Sequence, residues 1–155
     1  MIATLPPVRS TGRRVRKETD MLPSFTVGQF RKAAASSPQQ ACVMVGRDDE
    51  WTVVWDDKLA NRDTTTDAVV PRDQCLYFSH SQFDAFQEAI RSGNPIGHCL
   101  KMTLRNDGTY VFSAADPAGQ PASARELHFD GAEYDAFMTG IHNREFDLQK
   151  FKTAA

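Results

Sequence analysis

Residues 76–90 and 127–141 are two versions of one segment, and this repeat restricts the fold more than any other feature of the chain. The first copy reads LYFSHSQFDAFQEAI and the second reads LHFDGAEYDAFMTGI, so six of fifteen positions are identical. A segment that occurs twice in 155 residues predicts two structural units of the same kind. One such unit buries too little apolar surface to be stable alone, so we expect the two copies to pack against each other.

Each copy carries the signals of a short strand followed by a helix. Ser79 and Gln82 form the S-x-x-Q pattern of a capping box, and Asp130 and Glu133 form its D-x-x-E version. Apolar side chains then recur at helical spacing, which places them on one face of each helix. Both faces are expected to be buried in the core. The side chains concerned are Phe83, Phe86 and Ile90 in the first copy and Tyr134, Phe137 and Ile141 in the second.

Strand patterns precede both helices. They cover 25–33, 41–45, 51–55 and 76–78 in the first copy, and 100–104, 110–112 and 126–129 in the second, where NDG (106–108) predicts a hairpin turn. The sequence therefore predicts an α+β fold of two tandem βββα repeats, each an antiparallel meander followed by one helix, packed as one pseudo-two-fold unit. The boundaries that we assign are 1–22 for a disordered basic tail, 23–96 for the first repeat and 97–150 for the second.

The formal charge is divided unevenly along the chain. The net charge is −2, but the first 20 residues carry +3 and the remaining residues carry −5. The basic cluster RRVRK (13–17) indicates either an arm that contacts nucleic acid or a solvated tail, and both Met1 and Met21 stay open as the native start. An acidic body is unsuited to binding the phosphate groups of nucleic acid, and its charge favours a basic protein partner. We therefore expect no direct nucleic acid binding by the folded body.

The apolar segments and the cysteines of the chain indicate the cellular compartment of the protein. The sequence contains neither a run of about 18 apolar residues, as a membrane span needs, nor the apolar region of a secretory signal. Three cysteines without a C-x-x-C pair predict neither a zinc site nor a disulfide framework. A cytoplasmic protein without membrane contact, metal or cofactor is expected.

The histidines and cysteines do not form a catalytic pattern. His98 and Cys99 are adjacent, but neighbours on a strand point to opposite faces, so the imidazole would not activate the thiol. His80, His128 and His142 do not have the spacing of metal ligands. The chain is therefore expected not to be an enzyme, and a small uncharacterised enzyme is the less favoured alternative.

Five short motifs follow one another between residues 28 and 150. They are FRKAAASS (30–37), CVMV (42–45), VVWDDKLANRD (53–63), LYFSHSQFDAF (76–86) and REFD (144–147). As a set they resemble the actinobacterial family called domain of unknown function 397 (BldB-like), here in a tandem two-copy form. The R-D pair of that pattern is Arg62 and Asp63, and the second copy has Ser113 and Ala114 at the matching positions.

The resemblance implies a regulatory role rather than a catalytic one. Members of that family look like small cytoplasmic partners of Xre-type helix-turn-helix DNA-binding regulators in actinobacterial development and antibiotic production. The resemblance thus implies a non-enzymatic, regulatory protein-interaction module whose partner is such a transcription regulator. A component of a toxin–antitoxin-like pair is the alternative that it implies.

Charged residues in and around these motifs are the candidate partner-binding residues. They are Asp48, Asp49, Asp56, Asp57, Arg62, Asp63, Arg144 and Glu145. The acidic ones either steer a basic partner or only keep hairpin loops soluble. Arg62 and Asp63 either contact the partner or form a structural salt bridge. The expected oligomeric state is a monomer with an internal pseudo-dimer, or a homodimer.

Overall fold

Antiparallel strands in three sheets, together with three α-helices, make up the described part of the chain, so the predicted α+β class is confirmed. The computed structural model describes residues 22–34, 43–60, 65–94, 98–116, 118, 120–121 and 125–152. The strands are β1 (Phe25–Thr26), β2 (Phe30–Arg31), β3 (Val43–Arg47), β4 (Trp51–Asp56), β5 (Val69–Val70), β6 (Leu76–Ser79), β7 (Leu100–Leu104), β8 (Tyr110–Ala114) and β9 (Leu127–Phe129). The helices are α1 (His80–Arg91), α2 (Gly131–His142) and α3 (Leu148–Lys152).

The first sheet has the strand order β2-β3-β4-β6, and its neighbours are all antiparallel. Its centre is the hairpin β3–β4, which the Val- and Trp-rich patterns predict. Every residue of β3 is buried, because both faces of this sheet are covered. The two faces belong to different apolar clusters, so the first sheet is the middle layer of its half of the molecule.

The segment 25–33 forms two short strands, whereas its pattern predicts one. Thr26 and Gln29 close a 3-10 turn between them, in which the Thr26 N–H donates to Gln29 Oε1 at 2.8 Å. The turn redirects the chain, so β1 pairs with β5 while β2 pairs with β3. The N-terminal segment therefore lies against the outer face of the first sheet.

The second sheet has the order β7-β8-β9. Its predicted hairpin turn is confirmed: the Arg105 N–H donates to the Thr109 carbonyl at 2.8 Å, and Gly108 has φ of +88°, which glycine adopts readily. One face of this sheet packs on the core. The other face is open to solvent and presents the exposed side chains of Lys101, Thr103 and His128.

The repeated segment takes part in antiparallel pairing in both sheets. Tyr77 of β6 and His128 of β9 are each the second residue of that segment. Tyr77 pairs with Val53 of β4, which pairs in turn with Gly46 of β3. His128 pairs with Val111 of β8, which pairs in turn with Thr103 of β7.

Both long helices begin with the predicted capping boxes. At α1, Ser79 Oγ accepts from the Gln82 N–H at 3.1 Å, and Gln82 Oε1 accepts from the Ser79 N–H at 2.9 Å. At α2, the corresponding bonds between Asp130 and Glu133 are both 2.8 Å long. Each box satisfies N–H groups that a helix leaves unpaired at its start, and each cap stabilises the fold by about 1 kcal/mol.

One core joins both of these sheets and both long helices. Phe86 of α1 and Phe137 of α2 are fully buried, as predicted, and their rings stack with centroids 6.4 Å apart. A second cluster lies between the first sheet and the N-terminal segment, and it includes Leu22, the last residue that we assign to the tail. The larger core contains Val43, Val45, Val54, Leu76, Phe78, Phe83, Ile90, Leu100, Phe112, Leu127, Phe129, Ile141 and Phe146 around the two stacked rings.

The segment after α2 returns to the first half of the molecule. Arg144 has φ of +61°, so the chain leaves the helix in a left-handed turn. Phe146 is then fully buried, and its carbonyl accepts from Arg47 Nη1 of β3 at 2.9 Å. Glu145 Oε1 accepts from the Ala34 N–H at 2.7 Å. The beginning and the end of the described chain are thus fastened together.

Candidate interaction site

Asp48 and Asp49 lie in the turn between β3 and β4. Asp48 Oδ1 accepts from the N–H groups of Glu50 at 2.8 Å and Trp51 at 2.7 Å, so this carboxylate holds the turn. The side chains of Asp49 and Glu50 are exposed. Asp49 therefore presents its carboxylate to solvent, whereas Asp48 has a structural role in the turn.

Asp56 is buried at the other end of β4 and belongs to an ion-paired group. Lys58 Nζ lies 3.2 Å from Asp56 Oδ1 and 2.8 Å from Glu133 Oε2 of α2. The same ammonium lies 4.6 Å from the centre of the Phe129 ring, within the range of a cation–π contact. The carboxylate of Asp56 thus faces into the protein and helps to connect its two halves.

Burial and ion pairing both shift the pKa values of Asp56 and Lys58. Burial raises the pKa of Asp56 above its ordinary value, although the hydrogen bonds and the charge of Lys58 act in the opposite direction. Burial alone would lower the pKa of Lys58, but the hydrogen bond to Glu133 and the two neighbouring carboxylates outweigh it, so this pKa is raised. Lys58 therefore keeps its charge to a more alkaline pH than a free lysine.

Asp57, Arg62 and Asp63 follow β4 in the sequence. Asp57 is half-buried in a 3-10 turn that ends at Leu59. Arg62 and Asp63, the predicted R-D pair, lie outside the described residues.

Arg144 and Glu145 differ in what they offer to a partner. The Arg144 side chain is 59% exposed and lies 3.7 Å from Asp147, a weak surface pair. Glu145 is committed to the Ala34 N–H. Arg144 is therefore open to an external contact, while Glu145 joins two segments of the chain.

The structure divides the predicted acidic residues between two places. The turn 48–50 and Asp56 lie at opposite ends of β4, a strand of six residues that spans about 17 Å. Their closeness in the sequence suggests one acidic surface, but a fully extended strand separates them. Of these two places, the β3–β4 turn is the one that exposes carboxylates, since Asp56 is buried.

A pocket of about 280 Å³ opens on the outer side of the first sheet, and we call it the Trp55 pocket. Leu59 is 40% exposed and Val69 is 62% exposed at its rim, so two of the three exposed large hydrophobic side chains of the described residues lie together here. The Trp55 Nε1–H donates to Gln74 Oε1 at 3.1 Å, so the polar edge of the buried indole is satisfied. The remaining wall is mostly apolar and comprises Val27, Ala60, Ala68, Val70 and Pro71.

Sequence reasoning missed the Trp55 pocket. Its lining comes from three separate stretches, around residue 27, from 55 to 60 and from 68 to 74. The sequence signal that points to it is the pair Val69–Val70 directly before Pro71, two apolar side chains in an otherwise polar segment. Only the pairing of β1 with β5 brings these stretches together.

A larger cavity of about 530 Å³ lies where the two halves meet. Across it, Gln120 Oε1 accepts from the Tyr77 N–H at 2.8 Å, and Gln120 Nε2 donates to the Tyr77 carbonyl at 2.7 Å. The side-chain amide thus pairs with the outer edge of β6 as a neighbouring strand would, which protects that edge. Other residues that line the cavity are Trp51, Phe78, Gln82, His98, Cys99 and Asp116.

Cys99 faces this cavity, but its thiol has little nucleophilic character. Burial raises the pKa of Cys99 to about 12, and the thiolate is the reactive form. Burial likewise raises the pKa of Cys75 to about 12. Both cysteines therefore act as small, apolar packing residues at neutral pH.

His80 is held by two hydrogen bonds beside a buried arginine. Its Nε2 lies 2.9 Å from the Asp48 carbonyl, which can only accept, and its Nδ1 lies 2.9 Å from the Thr52 hydroxyl oxygen. Thr52 is fully buried, so this hydroxyl is shielded from solvent. Asp84, an aspartate that both repeats share, lies 2.9 Å from Nη2 of the buried Arg47. This polar cluster fixes α1 to the hairpin β3–β4.

Two further classes of site bear on function. Within the described ranges, no three His, Cys, Asp or Glu side chains are grouped so that they would hold a metal ion. Every helix in those ranges is too short or too polar to cross a lipid bilayer.

Comparison with family models, with curated proteins and with solved structures gave no match to this chain. The resemblance to the domain of unknown function 397 family therefore rests on the sequence motifs alone.

Proposed function

We propose that this chain is a cytoplasmic, non-enzymatic interaction module that binds a helix-turn-helix (Xre-type) DNA-binding regulator. The Trp55 pocket carries this proposal. Exposed Leu59 and Val69 beside an apolar recess form the kind of surface that receives an apolar side chain of a partner. The motif resemblance implies a partner of the same class, and its motif VVWDDKLANRD (53–63) contains Trp55, Leu59 and Ala60 of this pocket.

Charge supports the choice of a basic partner. The chain after residue 20 carries −5, and Asp49 and Glu50 are exposed at the β3–β4 turn. DNA-binding domains are positively charged, so opposite charges would accelerate their encounter with this acidic body. Apolar contact at the Trp55 pocket would then hold the complex together.

The tandem-repeat form of the fold is part of the same proposal. The shared register of the two sheets and the matching capping boxes support it. Phe86 and Phe137 are equivalent positions of the repeat, and each stacks on the other. Contact between equivalent residues is what a two-fold axis produces.

The pocket is tested with Leu59→Glu, which places a charge at its rim. Tagged wild-type chain is used to isolate bound proteins from the native host, and a retained helix-turn-helix regulator is purified for calorimetry. We expect Leu59→Glu to raise the Kd about tenfold or more, because a charge in an apolar contact is desolvated without a partner. Asn106→Glu, an exposed turn position in the other half, is the matched control and should leave the Kd unchanged.

Two results would contradict the proposal. Equal binding of the regulator by wild-type chain and by Leu59→Glu would remove the pocket from the interface. Specific retention of a toxin enzyme, with no DNA-binding protein bound, would favour the toxin–antitoxin alternative.

The absence of direct DNA binding by the body is a separate part of the proposal. Affinity for DNA depends on several Lys and Arg side chains that contact phosphates together, and RRVRK (13–17) is the dense basic cluster of the sequence. We expect a chain that starts at Met21 to give no shift of duplex DNA in a gel-shift assay. A tight, salt-sensitive shift by that shortened chain without a protein partner would refute this expectation.

A further inference from the structure

Strand β7 (Leu100–Leu104) lies at an edge of the second sheet, and no described strand pairs with its outer side. Its counterpart in the first sheet, β3, is differently placed. There β2 pairs with the outer side of β3, so that Phe30 lies opposite Gly46 and Arg31 opposite Val45. The second half of the described chain thus has a free edge on the side where the first half has an additional strand.

The backbone groups on this free edge can be identified from the hairpin bonds. The Arg105 N–H donates to the Thr109 carbonyl, and the Cys99 carbonyl accepts from the Ala115 N–H, each at 2.8 Å. Residues 99, 101, 103 and 105 therefore face β8. It follows that the N–H and C=O groups at 100, 102 and 104 point outward, where no described group pairs with them.

The side chains along the same edge are apolar on the core side. Leu104 is 59% exposed, and Met102 is half-buried beside it. An edge strand with an exposed leucine is a surface on which another strand readily adds.

We propose that two copies of this chain pair through β7, antiparallel and centred on Met102, to form one continuous six-stranded sheet. In this register Met102 lies opposite Met102 of the second copy, and Leu100 lies opposite Leu104 of the second copy. Each of these pairs exchanges two backbone hydrogen bonds, because all three residues point their backbone groups outward. The exposed Leu104 is thereby covered by an apolar neighbour.

Charge on the outer face favours this register over the neighbouring one, and the self-complementary pattern of the strand makes a second copy the occupant. Lys101 lies opposite Thr103 of the second copy, so no like charges meet. A register centred on Lys101 would instead place two lysines directly opposite each other, which is destabilising. The strand Leu-Lys-Met-Thr-Leu is therefore complementary to itself in one antiparallel register. This contact uses none of the residues that line the Trp55 pocket, so it is independent of the proposed function.

Thr103 offers a test in both directions, because its exposed side chain would lie opposite Lys101 of the second copy. Thr103→Lys places like charges opposite each other twice in the symmetric dimer, so the dimer Kd should rise about tenfold. Thr103→Glu places opposite charges there, so the Kd should fall by a similar factor. Asn106→Lys adds the same charge at the hairpin turn, outside the paired strand, and should change the Kd little.

The measurement is sedimentation equilibrium of the full chain over a range of concentrations, with circular dichroism of each variant to verify the fold. Opposite shifts for Thr103→Lys and Thr103→Glu, with Asn106→Lys close to wild type, are expected. If Thr103→Lys does not fold, the comparison of Thr103→Glu with wild type decides. A wild-type chain that stays monomeric at every concentration, or a Kd that does not respond to either charge at 103, would overturn the proposal.

Discussion

Lys58 is the residue whose charge connects the two halves of the molecule. It follows β4 of the first half, and its ammonium lies 2.8 Å from Glu133 at the start of α2. Glu133 also closes the capping box with Asp130, so one buried carboxylate serves both the helix start and the ion pair. Removing the cation would leave Asp56 and Glu133 buried near each other without a counter-charge, which is costly.

The raised pKa of Lys58 predicts a specific pH dependence of stability. A lysine in the unfolded chain loses its proton near 10.5, while Lys58 in the fold keeps its proton to a higher pH. Its contribution is therefore fully present below 10.5 and is lost as the pH rises through the folded value. Lys58→Met keeps an unbranched, mostly aliphatic side chain but cannot titrate.

Urea unfolding of wild type and Lys58→Met on both sides of that window would show the effect. We expect wild type to be the more stable protein at neutral pH, and the difference between the two to shrink as the pH rises above 10.5. A difference that stays constant across this window would show that the Lys58 proton is not linked to folding.

At the scale of elements, the sequence predicts most strands and both long helices because their signals are local. The alternation in β7 and β8, the turn at Gly108 and the two capping boxes each lie within a few neighbouring residues. The division of 25–33 into two strands was not predictable, because it depends on pairing with Val69–Val70 and with β3. The Trp55 pocket was missed for the same reason, since distant segments form it.

Gly140 shows how packing between elements overrides the preference of a helix. It lies inside α2, where glycine costs about 1 kcal/mol relative to alanine, and the equivalent position in α1 is Ala89. A Cβ at residue 140 would lie 2.7 Å from the Phe146 ring and 2.9 Å from the Ala33 Cβ. The return of the C-terminal segment over α2 therefore requires a glycine here.

We expect Gly140→Ala to destabilise the protein by about 1–3 kcal/mol, because overpacking outweighs the gain in helix propensity. Gly131→Ala is the matched control in the same helix, since nothing lies within 4 Å of a Cβ at that position. It should be neutral or slightly stabilising. Chemical denaturation of both variants measures the difference, and a Gly140→Ala protein as stable as its control would contradict the packing argument.

For the whole molecule, the decisive feature is that the halves share their core. Phe86 and Phe137 are both fully buried and stack on each other, and Phe146 of the C-terminal segment lies against the same ring of Phe137. Residues of both sheets and both long helices form this core, so neither sheet covers it alone. The two halves are therefore expected to unfold together as one cooperative unit.

Phe86→Ala and Phe137→Ala should each cost about 3–5 kcal/mol, because each opens a cavity in the shared core. Guanidinium unfolding followed by near- and far-ultraviolet circular dichroism should give one coincident transition in wild type and in both variants. Val69→Ala, at a side chain that is 62% exposed, serves as the control and should cost far less. A loss below about 1 kcal/mol for either phenylalanine, or two separate transitions, would refute the shared core.

The bond between Arg47 and the Phe146 carbonyl also sets an order of events during synthesis. These residues are 99 positions apart, so the ribosome makes the arginine about 5–20 s before its acceptor exists. Until then the guanidinium, which is completely shielded in the finished protein, lacks one of its partners and favours staying in water. We therefore expect the first half of the nascent chain to stay incompletely folded until the last residues of the fold have emerged.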